Sequence, residues 1–142
     1  MQERTRLDNS IGAFLKAEAT LNDNVDLIEL AEAEGEADVI AEAEKALHGL
    51  REKTGKMELE SLLSGEADPN DCYLEVHAGA GGTESQDWAE MLLRMYTRWS
   101  DQHGYKVEYI EESPGEEAGL KSATIKVSGD NAYGWLKTES GV

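Results

Sequence analysis

Residues 72–99 read CYLEVHAGAGGTESQDWAEMLLRMYTRW, and this stretch decides the fold of the second half of the chain. Its opening alternates, with Leu74, Val76 and Ala78 on one face, which is typical of a half-buried strand. From residue 83 onward, apolar residues recur every three or four positions, which predicts a helix of about five turns. The residues expected to face the core from this helix are Trp88, Met91, Leu92, Met95, Tyr96 and Trp99.

The rest of the second half continues the strand pattern. Residues 105–109 and 123–127 alternate between polar and apolar positions, and each predicts a strand. An acidic loop is expected between them, over residues 111–119, and Asp130-Asn131 is expected to cap a short helix at 132–136. The order strand, helix, strand, strand, helix predicts an α+β sandwich with a mixed, mostly antiparallel sheet.

The first half has a different period. Residues 1–70 carry 17 acidic and 7 basic side chains and a single aromatic residue. Apolar residues at helical spacing predict three helices, the first interrupted by Asn22-Asp23-Asn24 and the second ended by Gly35. Turn-forming residues at 64–70 then mark a boundary. We therefore expect an acidic helical bundle or hairpin domain over 1–68 and the α+β domain over 69–142.

Charge and composition exclude several protein classes. The chain of 142 residues has 30 Asp+Glu against 13 Lys+Arg, a net charge of −17, which argues against a protein that coats DNA or binds anionic membranes. Its single cysteine, Cys72, allows no internal disulfide and no four-cysteine zinc site. No stretch reaches the ~20 apolar residues of a membrane span, and the first ten residues contain no apolar signal core. A cytoplasmic location is the expectation.

The glycine-rich corner at residues 78–86 carries the chemistry. Thr83 and Gln86 have the spacing of a capping box at the start of the helix. The three glycines allow a tight turn and close approach by another molecule, while the first helical turn offers unpaired N–H groups. Three interpretations remain open: a turn that needs glycine only for its geometry, a phosphate loop, and a site that reads a neutral polar edge such as a base. The phosphate loop lacks its lysine, and Glu84 and Asp87 already satisfy the helix dipole.

Other candidate sites are weaker. The three histidines, His48, His77 and His103, fall in different elements, so the spacing predicts no metal centre. Cys72 is expected to be a small core residue rather than a nucleophile. The tryptophans are expected to pack in the core rather than to stack on bases. The acidic run is expected to be a solvated loop rather than a cation site; it comprises Glu111, Glu112, Glu116 and Glu117. No catalytic group and no cofactor are predicted.

Two segments resemble a known family. AGAGGTESQDWAEMLLRMYTRW at 78–99 and EYIEESPGEEAGLKSATIKVSGDNAYGWLKTESGV at 108–142 closely resemble bacterial class I peptide chain release factors. The Thr-Glu-x-Gln-Asp-Trp run at 83–88 resembles the corresponding segment of the type-two members. The likeness extends over 71–142 and the preceding SGEADPNDCYLEV segment, whereas the first seventy residues resemble the family's acidic helical domain in pattern only.

The resemblance implies a function and a site. Members of this family bind the ribosomal A site at a stop codon and promote peptidyl-tRNA hydrolysis. The positions that match the family's recognition of the first codon base, uridine, are Gly81, Gly82, Thr83 and Glu84. The expected alternative is a small anion- or nucleotide-binding domain that uses the same glycine-rich loop.

The resemblance also implies partners and missing parts. The expected partners are the decoding-centre rRNA, the mRNA stop codon, a stalk-base ribosomal protein and the GTPase that recycles release factors, with no DNA or membrane. The family's codon-discriminating tripeptide is expected just beyond Val142. Its Gly-Gly-Gln loop is not in this sequence either, because Gly81-Gly82 is followed by Thr83. We therefore expect a release-factor fragment that is not an enzyme by itself.

Overall fold

The structure, a computed structural model, describes residues 2–141 of the chain. The chain divides into two compact units, Met1–Ser61 and Leu62–Val142. The division falls earlier than the predicted boundary between residues 68 and 69, because the intervening segment packs into the second unit. Within the part of the chain that is described, no helix is both long and apolar enough to cross a membrane.

Asp68 ties this intervening segment to the second unit. Its buried carboxylate accepts hydrogen bonds from Gly65 N–H at 2.9 Å and from Lys137 Nζ at 2.7 Å. Its backbone carbonyl accepts a third, from Gly134 N–H at 3.1 Å. Because these donors stabilise the ionised form, Lys137 first and Gly65 second, the pKa of Asp68 lies below its usual value.

The first unit is a hairpin of two long helices, α1 (Gln2–Glu34) and α2 (Ala37–Ser61). Gly35 ends α1 with φ +76°, as predicted from the sequence. The prediction of an interruption at residues 22–24 is wrong, because α1 continues through them. Asn24 Nδ2 donates to the Thr20 carbonyl at 2.7 Å, so this side chain is satisfied on its own helix.

Small side chains form the contact between the two helices. Ala17 and Ala31 of α1 and Ala43 of α2 are its buried apolar residues. Side chains of this size allow two helices to approach closely, but each buries little apolar area. The larger apolar residues of α1 are mostly exposed; they include Leu7, Ile11, Phe14, Leu15, Leu21 and Leu30. The acidic helical hairpin that the sequence predicts is confirmed.

The second unit contains a three-stranded antiparallel sheet. Its strands are β1 (Cys72–His77), β2 (Lys106–Pro114) and β3 (Leu120–Ser128), in the order β1-β3-β2. Val76 pairs with Ala123. The predicted acidic loop is too long, because residues 111–114 belong to β2 and only 115–119 connect the strands. The α+β fold with an antiparallel sheet is confirmed.

Helix α3 (Thr83–Gln102) covers one face of this sheet, and a short helix, α4 (Ala132–Leu136), packs near β1. A 3-10 turn, Lys137–Glu139, follows α4. Ile125 and Val127 of the central strand are fully buried between these elements. Asn131 stands before α4 in the left-handed conformation, φ 61°, and its side chain makes none of the capping bonds expected there.

The buried face of α3 differs from the prediction. Ala89, Leu93 and Ser100 are buried, whereas Trp88 and Met91 are 61% and 57% exposed. Met95 is exposed as well, and Leu92, Tyr96 and Trp99 are partly buried against the core. A helix on a narrow sheet touches it along one stripe, so the apolar surface of α3 is wider than its contact. Placing Trp88, Met91 and Met95 in the core was therefore wrong.

Candidate nucleic-acid interface

The corner between β1 and α3 is fixed at both ends. At its start, Ala78 N–H donates to the Lys121 carbonyl of β3 at 2.8 Å. At its end, the Gln86 N–H donates to the Gly82 carbonyl at 3.3 Å and opens the helical hydrogen-bond series. The backbone between these two bonds is therefore held by the sheet on one side and by α3 on the other.

Ser85 holds the glycine turn together, and the sequence analysis did not single it out. Its hydroxyl oxygen lies 3.0 Å from the Gly79 carbonyl and 2.8 Å from the Gly82 carbonyl. The hydroxyl has one hydrogen, which it shares between them or gives to one at a time. A serine three residues after a glycine at a helix start was the only sequence signal for this role.

The predicted capping box does not form. Gly82 occupies the N-cap position with φ 63° and ψ −140°, and no side chain caps the helix there. Thr83 is already the first helical residue, one position too late to act as the cap. A left-handed φ at residue 82 favours glycine, and it turns the chain into α3 without help from a threonine hydroxyl.

The loop between β2 and β3 supports the first turn of α3, a contact with no counterpart in the sequence analysis. A Cβ on Gly119, which has φ +69°, would overlap the backbone of Gln86 and Asp87. A Cβ on Gly115 would lie 2.5 Å from Gln86 Oε1. The two glycines thus allow the loop to pack directly against the helix start.

The four predicted site residues form one exposed edge. Gly81, Gly82, Thr83 and Glu84 are all exposed, and so are Gly79 and Ala80 beside them. The N–H groups of residues 83–85 precede the first helical hydrogen bond and point away from the helix body. A Cβ on Gly81 would lie 3.2 Å from Ser85 Cβ, so glycine also keeps this turn compact.

The charge at this edge does not suit a free anion. Residues 78–93 contain no lysine or arginine, while Glu84 lies in the first helical turn and Asp87 directly follows that turn. Carboxylates there already complement the positive end of the helix dipole. Backbone donors without cationic side chains suit a neutral hydrogen-bonding edge better than a phosphate.

The other candidate groups stay apart. His48 lies in α2, His77 at the end of β1, and His103 follows α3 with Nδ1 at 2.8 Å from the Trp99 carbonyl. Among residues 2–141, no three His, Cys, Asp or Glu side chains are grouped so that they could hold a metal ion. The acidic residues at 111–117 are split between β2 and the following loop, and Glu116 pairs with Lys121 at 3.0 Å. Cys72 is buried, as predicted.

Comparisons with known proteins identify the family. The model of the PCRF domain matches residues 1–142, the whole chain. The chain belongs to the PCRF-domain family. Peptide chain release factor 2 of Paramagnetospirillum magneticum is 65% identical over 142 residues, and that of Roseobacter denitrificans is 57% identical over the same length. Both alignments cover 100% of this chain and 38% of the relative.

A solved structure supports the same family. RF2 of Thermus thermophilus matches with a TM-score of 0.61 and 40% sequence identity, covering 99% of this chain and 39% of that one. The resemblance to bacterial peptide chain release factors is therefore confirmed. This PCRF-domain chain spans less than two fifths of the length of the relatives it matches.

Proposed function

We propose that this chain is the part of a translation-termination factor that recognises the first base of a stop codon in the ribosomal A site. The observation that carries the proposal is the exposed edge formed by Gly81, Gly82, Thr83 and Glu84. It lies in a chain whose whole length matches release-factor relatives. The family match also favours this function over an anion- or nucleotide-binding domain.

Backbone groups of this edge complement uridine. The base presents two carbonyl acceptors on either side of one N–H donor. An N–H at the start of α3 donates to one carbonyl, and a glycine carbonyl of the turn accepts the N–H. Both partners belong to the main chain, and Ser85 with the β2–β3 loop keeps them in place. Rigid donors and acceptors give selectivity because they do not rearrange to suit another base.

Cytidine is rejected by mismatched hydrogen bonds. Its amino group would face a backbone N–H, and its ring nitrogen would face a carbonyl, so two pairs are lost. Each buried polar group left unpaired costs about 1–3 kcal/mol. Two such mismatches cost about 2–6 kcal/mol together, which corresponds to roughly thirty-fold to twenty-thousand-fold discrimination. A purine is excluded by size, provided that the corner does not open.

The two units have separate roles in this proposal. The second unit is the first part of the decoding domain, and its partners are the mRNA stop codon and the decoding-centre rRNA. The first unit is the acidic helical domain. Its excess of acidic residues disfavours rRNA and favours basic ribosomal proteins at the stalk base, or the recycling GTPase. We infer that the protein acts in the cytoplasm, and that peptidyl-tRNA hydrolysis needs the Gly-Gly-Gln loop that is not in this sequence.

The test measures binding of this chain to ribosomes that hold either UAA or CAA in an otherwise identical A site. We expect at least about thirty-fold tighter binding to UAA. Thr83→Pro and Glu84→Pro each remove one backbone N–H from the first turn, where proline has no preceding carbonyl to clash with. We expect both to lose most of the preference for UAA.

Thr83→Ala and Glu84→Ala are the matched controls, since they alter the same side chains and keep the N–H groups. They should retain the preference for UAA, and all four variants should keep the circular dichroism of the parent. Equal binding to both codons by the parent chain, or no binding to either, contradicts the proposal. Loss of the preference in the alanine variants would assign recognition to side chains instead of the main chain.

A further inference from the structure

A groove lined by charged and apolar side chains lies between α3 and β2, and none of residues 78–86 lines it. It has a volume of about 350 Å³, and both arginines of the second unit, Arg94 and Arg98, line it from α3. Tyr109 lines it from β2 and is 54% exposed. The groove therefore combines two guanidinium groups with an accessible aromatic ring, in a unit that carries few cations.

Arg98 has all of its hydrogen-bond donors available. Within residues 2–141 its guanidinium forms no hydrogen bond or ion pair, although its backbone belongs to α3. Arg94, one helical turn away, contacts Glu90 only at 3.8 Å, between largely solvated side chains. An exposed pair of this kind contributes little, so Arg94 can exchange Glu90 for another anion. The two guanidinium groups lie on the same helix face, since residues four apart are neighbours there.

Three of the four lysines of the second unit form ion pairs with carboxylates. Lys121, Lys126 and Lys137 each pair with a carboxylate, at 3.0, 3.8 and 2.7 Å. Lys106 makes no ion pair within residues 2–141, but it lies at the start of β2 and does not line the groove. In the second unit, Arg98 and Lys106 are thus the cations that form no ion pair within residues 2–141, and of these two only Arg98 lines the groove. Lys106 therefore provides a natural comparison.

We propose that this groove binds the phosphodiester backbone of RNA, with a phosphate on Arg98 and Arg94 and an adjacent base on Tyr109. The inference rests on the proposed function, which brings the second unit against RNA. Guanidinium groups match phosphate oxygens with paired hydrogen bonds, and aromatic rings stack on bases of any sequence. The groove adds affinity and orientation without reading the codon.

Acidic residues limit where the phosphate sits. Glu90 and Glu112 also line the groove, and both repel a phosphate. The phosphate is therefore held by Arg98, with Arg94 turning from Glu90 towards it. Thr97 Oγ1 donates to the Leu93 carbonyl at 2.8 Å, and it lies 3.5 Å from the Tyr109 hydroxyl. The tyrosine hydroxyl therefore lies beside the helix face that carries the arginines.

The experiment compares Arg98→Ala, Arg94→Ala and Lys106→Ala in the 142-residue chain. Each removes one positive charge from the same unit, so net charge does not distinguish them. Binding to ribosomes with UAA in the A site is measured over a series of salt concentrations. For each arginine variant we expect about tenfold weaker binding and a salt dependence reduced by about one phosphate contact. Arg98→Lys should recover part of the loss, whereas Lys106→Ala should bind as the parent does.

The outcomes separate this proposal from that for the corner. If the arginine variants bind no worse than Lys106→Ala, the groove is not an RNA site, even when UAA is preferred over CAA. If they bind worse while the parent does not distinguish UAA from CAA, the groove stands and the first-base site fails. Absence of any binding by the parent chain overturns both.

Discussion

The contact between Gly119 and the start of α3 predicts a specific loss of stability. In Gly119→Ala, the added Cβ overlaps the backbone of Gln86 and Asp87 and must also adopt φ +69°. A left-handed φ costs a non-glycine residue about 1–2 kcal/mol. The forced separation of the two backbones adds about 1–3 kcal/mol, as overpacking does elsewhere. We therefore expect a total destabilisation of about 2–5 kcal/mol.

Gly104→Ala is the matched control. Gly104 has φ +73°, but a Cβ there would meet nothing within 4 Å. This substitution carries the conformational cost alone, so the difference between the two variants measures the contact of the loop with α3. With a urea dependence of about 1–1.5 kcal/mol per molar, that difference of about 1–3 kcal/mol corresponds to a midpoint shift of about 0.7–3 M.

Tryptophan fluorescence during urea unfolding provides the assay. All three tryptophans, Trp88, Trp99 and Trp135, lie in the second unit, so the signal reports this unit without interference from the helical hairpin. Equal midpoints for Gly119→Ala and Gly104→Ala would show that the loop does not support the helix start, and the reasoning would be refuted.

Two further predictions concern buried groups of the second unit. The hydrogen bonds from Lys137 and Gly65 hold the pKa of Asp68 below its usual 3.8, so its stabilising contribution is complete above pH 3.8 and is lost as pH falls through the lower, folded-state value. Lys137→Met should therefore unfold at a higher pH during acid titration followed by tryptophan fluorescence. The control is Lys106→Met, which should not shift the transition because Lys106 forms no ion pair within residues 2–141. Burial raises the pKa of the Cys72 thiol. We expect slow reaction with a disulfide reagent at pH 8 that becomes rapid in urea, and fast labelling of the folded chain would contradict its burial.

The sequence predicts which strand residues face the core better than it predicts which helix residues do. Alternation identifies Ala123, Ile125 and Val127 as the inner face of β3, because a sheet residue points either inward or outward. On α3 the apolar surface extends around the helix, and periodicity alone does not say which part of it meets the sheet. Ala89 and Leu93 take that position, and Trp88 does not, since large apolar side chains also occur at surfaces.

The candidate site was likewise predictable from the sequence only in part. The glycine-rich segment predicts a corner and its exposure, because its residue types allow a tight turn and close approach. The partners that hold the corner are less visible in the sequence. Gly119 is far from Gln86 along the chain and reaches it only through the β2–β3 hairpin. The expected Thr83–Gln86 capping box fails because Gly82, not Thr83, precedes the first helical residue.

The central position of β3 has a consequence for biosynthesis. The β2–β3 hairpin pairs neighbouring segments and can form early, whereas β1 must wait for a strand that is translated after both α3 and β2. Pairings between distant segments form late because they close long loops. During synthesis, the glycine turn thus leaves the exit tunnel before the strand that anchors Ala78 exists. A nascent chain with this topology gains a fixed glycine corner only once its third strand has emerged.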